Sequence, residues 1–108
     1  MNDVQLFYIP VPDTSTGKKL ARSALSAKLA ACANLLPAGT SLYEWKGELC
    51  EASEQVLLLK TLPAKADALE ALMLSEHPYD CPCVLRLAPA QANDAFFQWM
   101  MGEVLSAE

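Results

Sequence analysis

Basic charge is scarce in this chain. Eight Lys and Arg residues stand against 13 Asp and Glu, a formal net charge of −5. A protein that tracks a phosphate backbone needs a clustered Lys/Arg footprint, so nucleic acid is not an expected partner. Histidine is scarcer still, with His77 the single one. One imidazole cannot build an H-E-x-x-H zinc site, and the sequence has no G-x-S-x-G. Its 4 glycines are scattered, which leaves no phosphate-cradling loop. These gaps argue against an enzyme, a Cys–His nucleophile pair being the catalytic arrangement left open. No apolar run reaches the roughly 18 residues that cross a bilayer, so no membrane association is expected. The opening MNDVQLFYIPVPD lacks a basic start and is interrupted by two prolines, unlike a secretory leader. A cytoplasmic location is therefore expected. In that reducing compartment Cys32, Cys50, Cys81 and Cys83 read as free thiols.

Apolar residues, by contrast, are abundant. They make up 53% of the 108 residues, above the usual share of about 45–50%. The length fits a single domain, residues 1–108. A domain this small has much surface per residue, so the surplus suggests contact with another chain. Val4 to Ile9 reads as a strand stopped by Pro10 and Pro12. Asp13 to Thr16 offers helix caps before a helix from about Gly17 to Leu29, with Ala21, Leu25 and Leu29 on one stripe. Ala31 to Leu36 continues into Leu42–Trp45, with a bulge expected at Pro37-Ala38-Gly39. A turn near Gly47 then returns a second long strand ending at Thr61. Pro63 opens a second helix whose buried stripe is Ala66, Leu69, Leu72 and Met73. Val84 to Leu87 gives a fourth strand, and Asn93 caps a last helix carrying Phe96, Phe97 and Trp99. The order β-α-β-β-α-β plus a C-terminal helix predicts an α+β, ferredoxin-like sandwich with a long hairpin.

Several segments carry a family resemblance. They are LAACANLLP (Leu29–Pro37), SLYEWKGEL (Ser41–Leu49), LLLKT (Leu57–Thr61), HPY (His77–Tyr79) with Pro82, and NDAFFQW (Asn93–Trp99). In this order and spacing the chain closely resembles the divalent-cation-tolerance (CutA) family. The resemblance implies a homotrimer of ferredoxin-like fold involved in tolerance of, or response to, divalent metal ions such as copper, with weak metal binding. It departs from the family in three places. The first strand ends Ile9-Pro10-Val11-Pro12, without the Thr-Cys-Pro of many members. Cys83 replaces the usual acidic residue, and Asp80 stands where Glu is common.

Two groups of residues have chemical potential. Cys81 and Cys83, two apart in an extended segment, face one side, and His77 is four residues earlier. Together they offer three N/S donors for copper or another divalent ion. The alternative is a helix-capping His77 and two thiols that pack as small hydrophobes. Tyr43, Trp45, Lys60, Tyr79 and Asp80 could build an inter-subunit cleft, with a Lys–Asp pair holding a small anion or each other. Interface packing with a structural ion pair is the competing reading. Cys32 reads as a core thiol and Cys50 as an exposed one, while Trp45 and Trp99 read as structural, near subunit contacts. No organic cofactor is expected. A different class of function also fits: a small-ligand signalling or assembly module similar to PII-type trimers, with its site at the subunit interface.

Overall fold

Lys46 and Gly47 both take positive φ, 53° and 82°, the two-residue turn geometry whose twist matches a right-twisted strand pair. They join β2 (Cys32–Trp45) to β3 (Glu48–Thr61), paired from Trp45↔Glu48 to Cys32↔Lys60. The register shifts between Leu36 and Gly39. Pro37 cannot donate to a ladder, so an extra residue is accommodated there as a bulge, where the sequence predicts one. Our computed structural model describes residues 2–105. β1 (Asp3–Val11) lies antiparallel between β3 and β4 (Leu85–Gln91), giving one sheet of order β2-β3-β1-β4. With α1 (Thr14–Ser26), α2 (Pro63–Glu76) and α3 (Asp94–Val104), this is the α+β, ferredoxin-like arrangement.

Strand alternation divides the sheet. Phe7, Ile9, Val11, Leu57 and Leu59 point to one face and are fully buried beneath Leu20 and Ala24 of α1 and Ala66, Leu69 and Met73 of α2. The opposite face holds Tyr8, Leu36, Leu85 and Leu87, each left 36–48% exposed. α3 covers one end, packing Met100 and Val104 against Ala31, Leu62 and Val4. Among the described residues no helix is long and apolar enough to cross a membrane.

Several elements depart from the sequence expectation. β1 runs through Pro10 to Val11. The Pro10 carbonyl bonds to His77 rather than to β3, so the side of the strand that lacks an N–H is not the paired one. β4 continues past Pro89 because it is an edge strand and its register with β1 shifts between Val4 and Leu6. α1 starts at Thr14, and its cap is Asp13, whose carboxylate accepts from Thr16 N at 2.7 Å. That backbone bond holds the Asp13 carboxyl below its usual range. The buried stripe of α1 is Gly17, Leu20 and Ala24, not Ala21, Leu25 and Leu29. The helix rotates Leu25 into solvent and ends at Ser26, so Leu29 packs from the following turn. In α2 the expected Ala66, Leu69 and Met73 are buried, with Leu72 flanking.

His77 ends α2. Its N–H bonds to Met73 O at 2.9 Å and the residue is only 7% exposed. Nε2 donates to Pro10 O at 2.8 Å, since a carbonyl can only accept, and Nδ1 accepts from Tyr79 N at 3.2 Å. The two partners fix one neutral tautomer. The ring thereby ties the α2 terminus to β1 across 67 residues of sequence.

Two predictions follow from packing. A Cβ on Gly17 would stand 2.6 Å from Leu35 Cδ1 and 3.3 Å from Val11 Cγ2. Gly17→Ala should be near neutral, because the end of Leu35 can turn and alanine favours the helix, whereas Gly17→Leu should lose about 1–3 kcal/mol by overpacking. Urea denaturation of the two variants checks this, and equal stability would show that α1 can lift from the sheet. His77→Ala should lose about 1–3 kcal/mol by leaving the Pro10 carbonyl unpaired. The same measurement in chelator-treated buffer should give the same loss, because the role is structural.

Candidate functional site

The hairpin and the loop before β4 converge on one cleft. Tyr43 and Cys50 are a cross-strand pair on β2 and β3, and Trp45 follows Tyr43 at the two-residue spacing that keeps one side of a strand. Glu54 stands four residues beyond Cys50, on the same side of β3. Tyr79, Asp80, Cys81 and Cys83 approach from the loop between α2 and β4, and Pro10 closes the floor. The space enclosed is about 540 Å³, within the roughly 300–1,000 Å³ of small-molecule sites.

One hydrogen bond fastens the two sides together. Tyr79 OH donates to Glu54 Oε2 at 2.6 Å. Burial raises the Tyr79 hydroxyl well above the usual phenol value, and the bond to Glu54 and that carboxylate's charge raise it further. Tyr79 is therefore a neutral donor throughout the physiological range. Its ring rests on His77, with centroids 4.6 Å apart and planes tilted by 58°. The loop is thus held by His77 below and Glu54 above.

The structure brings together Tyr43, Trp45, Tyr79 and Asp80 from the residues expected to form a cleft, and it adds Cys81 and Cys83. Lys60 is not with them in the chain. It lies six residues beyond Glu54 along β3, roughly 20 Å away at the rise of a strand, with Nζ 5.4 Å from the Phe96 ring centroid. The grouping of His77 with Cys81 and Cys83 does not form either. Both His77 nitrogens are engaged inside the fold, while the two cysteines are exposed and free. Among the described residues no three His, Cys, Asp or Glu side chains are arranged to hold a metal ion.

The places of the other two cysteines differ from expectation. Cys32 pairs opposite Lys60 on the sheet face away from α1 and α2, half-buried rather than in the core. Cys50 is half-buried too, because it lines the cleft. Trp45 and Trp99 are 42% and 45% exposed in the single chain, Trp99 resting against Phe96 with centroids 5.4 Å apart. Sequence reasoning missed Cys50, Glu54, Glu44 and Pro10 as cleft residues. Strand parity could have joined Cys50 to Tyr43 and Trp45. Nothing local marks Glu54, whose partner Tyr79 is 25 residues away.

Comparison with known proteins agrees with this architecture. The family model described as CutA1 divalent ion tolerance protein matches residues 5–103. A CutA homologue of Xenopus laevis is 40% identical over 93 residues, covering 86% of the chain but only 62% of that relative's length. The divalent-cation tolerance protein CutA of Citrobacter koseri is 40% identical over 89 residues, 82% of this chain and 77% of the relative. The crystal structure of divalent ion tolerance protein CutA1 from Ehrlichia chaffeensis superposes with a TM-score of 0.90 at 31% identity, over 96% of this chain and 97% of that one. Fold, hairpin and sequence all lead to the same conclusion: the chain belongs to the CutA1 divalent ion tolerance family.

Proposed function

We propose that the chain works in divalent metal-ion tolerance or response as a cyclic homotrimer that binds copper or another divalent ion weakly, without catalysing a reaction. The observation that carries this reading is the make-up of the cleft. Cys50, Cys81 and Cys83 line it with Glu54 and Asp80, and no Lys, Arg or His among the described residues does, in a chain of a family described by divalent ion tolerance. The ion is cargo rather than a resident cofactor, since no three-donor set is prearranged among the described residues. Cys81 and Cys83 are the exposed soft donors, and Cys50 adds a third thiol to the same cleft. Thiolates favour Cu(I) over harder ions. Exposed free thiols also suit the reducing cytoplasm, the location we propose.

The apolar sheet face supports the trimer. Tyr8, Leu36, Leu85 and Leu87 are exposed together, and β2 and β4 have unpaired edges in the single chain. Burial against copies of the chain would cover both, and cyclic closure would avoid fibres.

A second reading is favoured by the size of the cleft. About 540 Å³ walled by Tyr43, Trp45 and Tyr79 exceeds the needs of one ion and suits a small-ligand signalling or assembly module.

Light scattering should give a mass of three chains at micromolar concentration; a stable monomer would overturn the assembly. In a Cu(I) competition titration, the Cys81→Ser, Cys83→Ser double variant should bind more weakly than the unaltered protein. Acidification should weaken binding further, as each thiolate gains a proton. Equal affinity of the two proteins would remove these thiols as ion donors.

A further inference from the structure

The geometry points to an organic cation, an ammonium or guanidinium group on a small apolar body, as the ligand of the cleft, an inference that rests on the reading of the cleft as a small-ligand site. Charge is the first argument. Glu54 and Asp80 line the space, and no basic side chain among the described residues does. A concave site lined by one sign of charge focuses its field on the opposite sign. Within the chain, the Lys60 ammonium lies over Phe96 rather than at this cleft.

Aromatic surface is the second argument. Tyr43, Trp45 and Tyr79 present rings to the same space, and Tyr43 and Trp45 remain open to solvent. The negative faces of such rings attract a cation. The neighbouring Lys46 already makes this contact, with Nζ 6.0 Å from the Trp45 centroid. A bare metal ion would use the thiols and leave the rings idle, whereas an ammonium on an apolar body uses both rings and carboxylates.

The Tyr79–Glu54 bond supplies the third argument. It fixes Glu54 in the wall at 2.6 Å from the Tyr79 hydroxyl. Burial chiefly keeps that hydroxyl protonated, and the negative charges of Glu54 and Asp13 add to it, so the field at this point is negative. A cation entering beside Glu54 relieves it and an anion adds to it.

The test is calorimetric titration of reduced, metal-free, full-length protein with three probes of matched size: phenethylammonium, 3-phenylpropionate and neutral 3-phenylpropan-1-ol. The ammonium should bind at least about tenfold more tightly than the other two. Glu54→Gln and the exposed-site variant Asp80→Asn should each weaken the ammonium severalfold and leave the alcohol unchanged, with light scattering confirming unaltered assembly. Equal binding of all three probes, or preference for the carboxylate, would overturn the cation while preserving the small-ligand site. Binding of none would overturn both.

Discussion

β1 and β3 lie side by side at the centre of the sheet, and their register, Phe7 opposite Leu59 and Ile9 opposite Leu57, is the constraint on which the rest depends. It sends these four side chains beneath α1 and α2. A slip of β1 by one residue would turn Leu6 and Tyr8 inward and expel Phe7 and Ile9 from the core, losing about 1.5–3 kcal/mol for each large apolar side chain exposed. The same parity leaves an apolar stripe on the other face, only partly covered by α3. Core and exposed face are thus two results of one pairing. The hydrophobic surplus of the sequence is divided between them.

The cleft arises where two differently supported segments meet. One is the loop after α2, anchored by a buried ring: His77 reaches Pro10 on β1 and receives the Tyr79 N–H. The other is the outer part of the hairpin, where most side chains from Pro37 to Glu51 are exposed. Tyr79 OH on Glu54 closes the gap between them. His77 therefore serves the site without touching a ligand, because it sets where Tyr79 stands. The carboxylates, rings and thiolates around that point share a preference for positive charge, which is the basis on which we propose a soft ion or an organic cation as its occupant.

Much of the fold was legible because its signals are local. Lys46-Gly47 between strand-prone runs specified the turn, Pro37-Ala38-Gly39 the bulge, and Pro63 the start of α2. The stripe of α2 followed from spacing alone. The stripe of α1 did not, since Gly17 has no apolar side chain to count. It is buried because Leu35 and Val11 close over it. Pro10 looked like a strand end and the fourth strand was expected to stop at Leu87, yet Pro10 and Pro89 lie within strands, because only sheet order shows which side of a strand is unpaired.

The candidate site was half legible. Tyr43, Trp45, Tyr79 and Asp80 were identifiable as residue types suited to a cleft, and the structure gathers them. Their two-residue spacing also placed Cys81 and Cys83 together, and both line the cleft from the loop before β4. Their separation from His77 and the arrival of Cys50 and Glu54 were decided in three dimensions. The sequence by itself determined element types, turn chemistry and the amounts of apolar and acidic surface, because these depend on near neighbours and composition. Only the tertiary structure decided which faces meet and which polar atoms are spent, because the bonds that settle it join residues 25 and 67 positions apart.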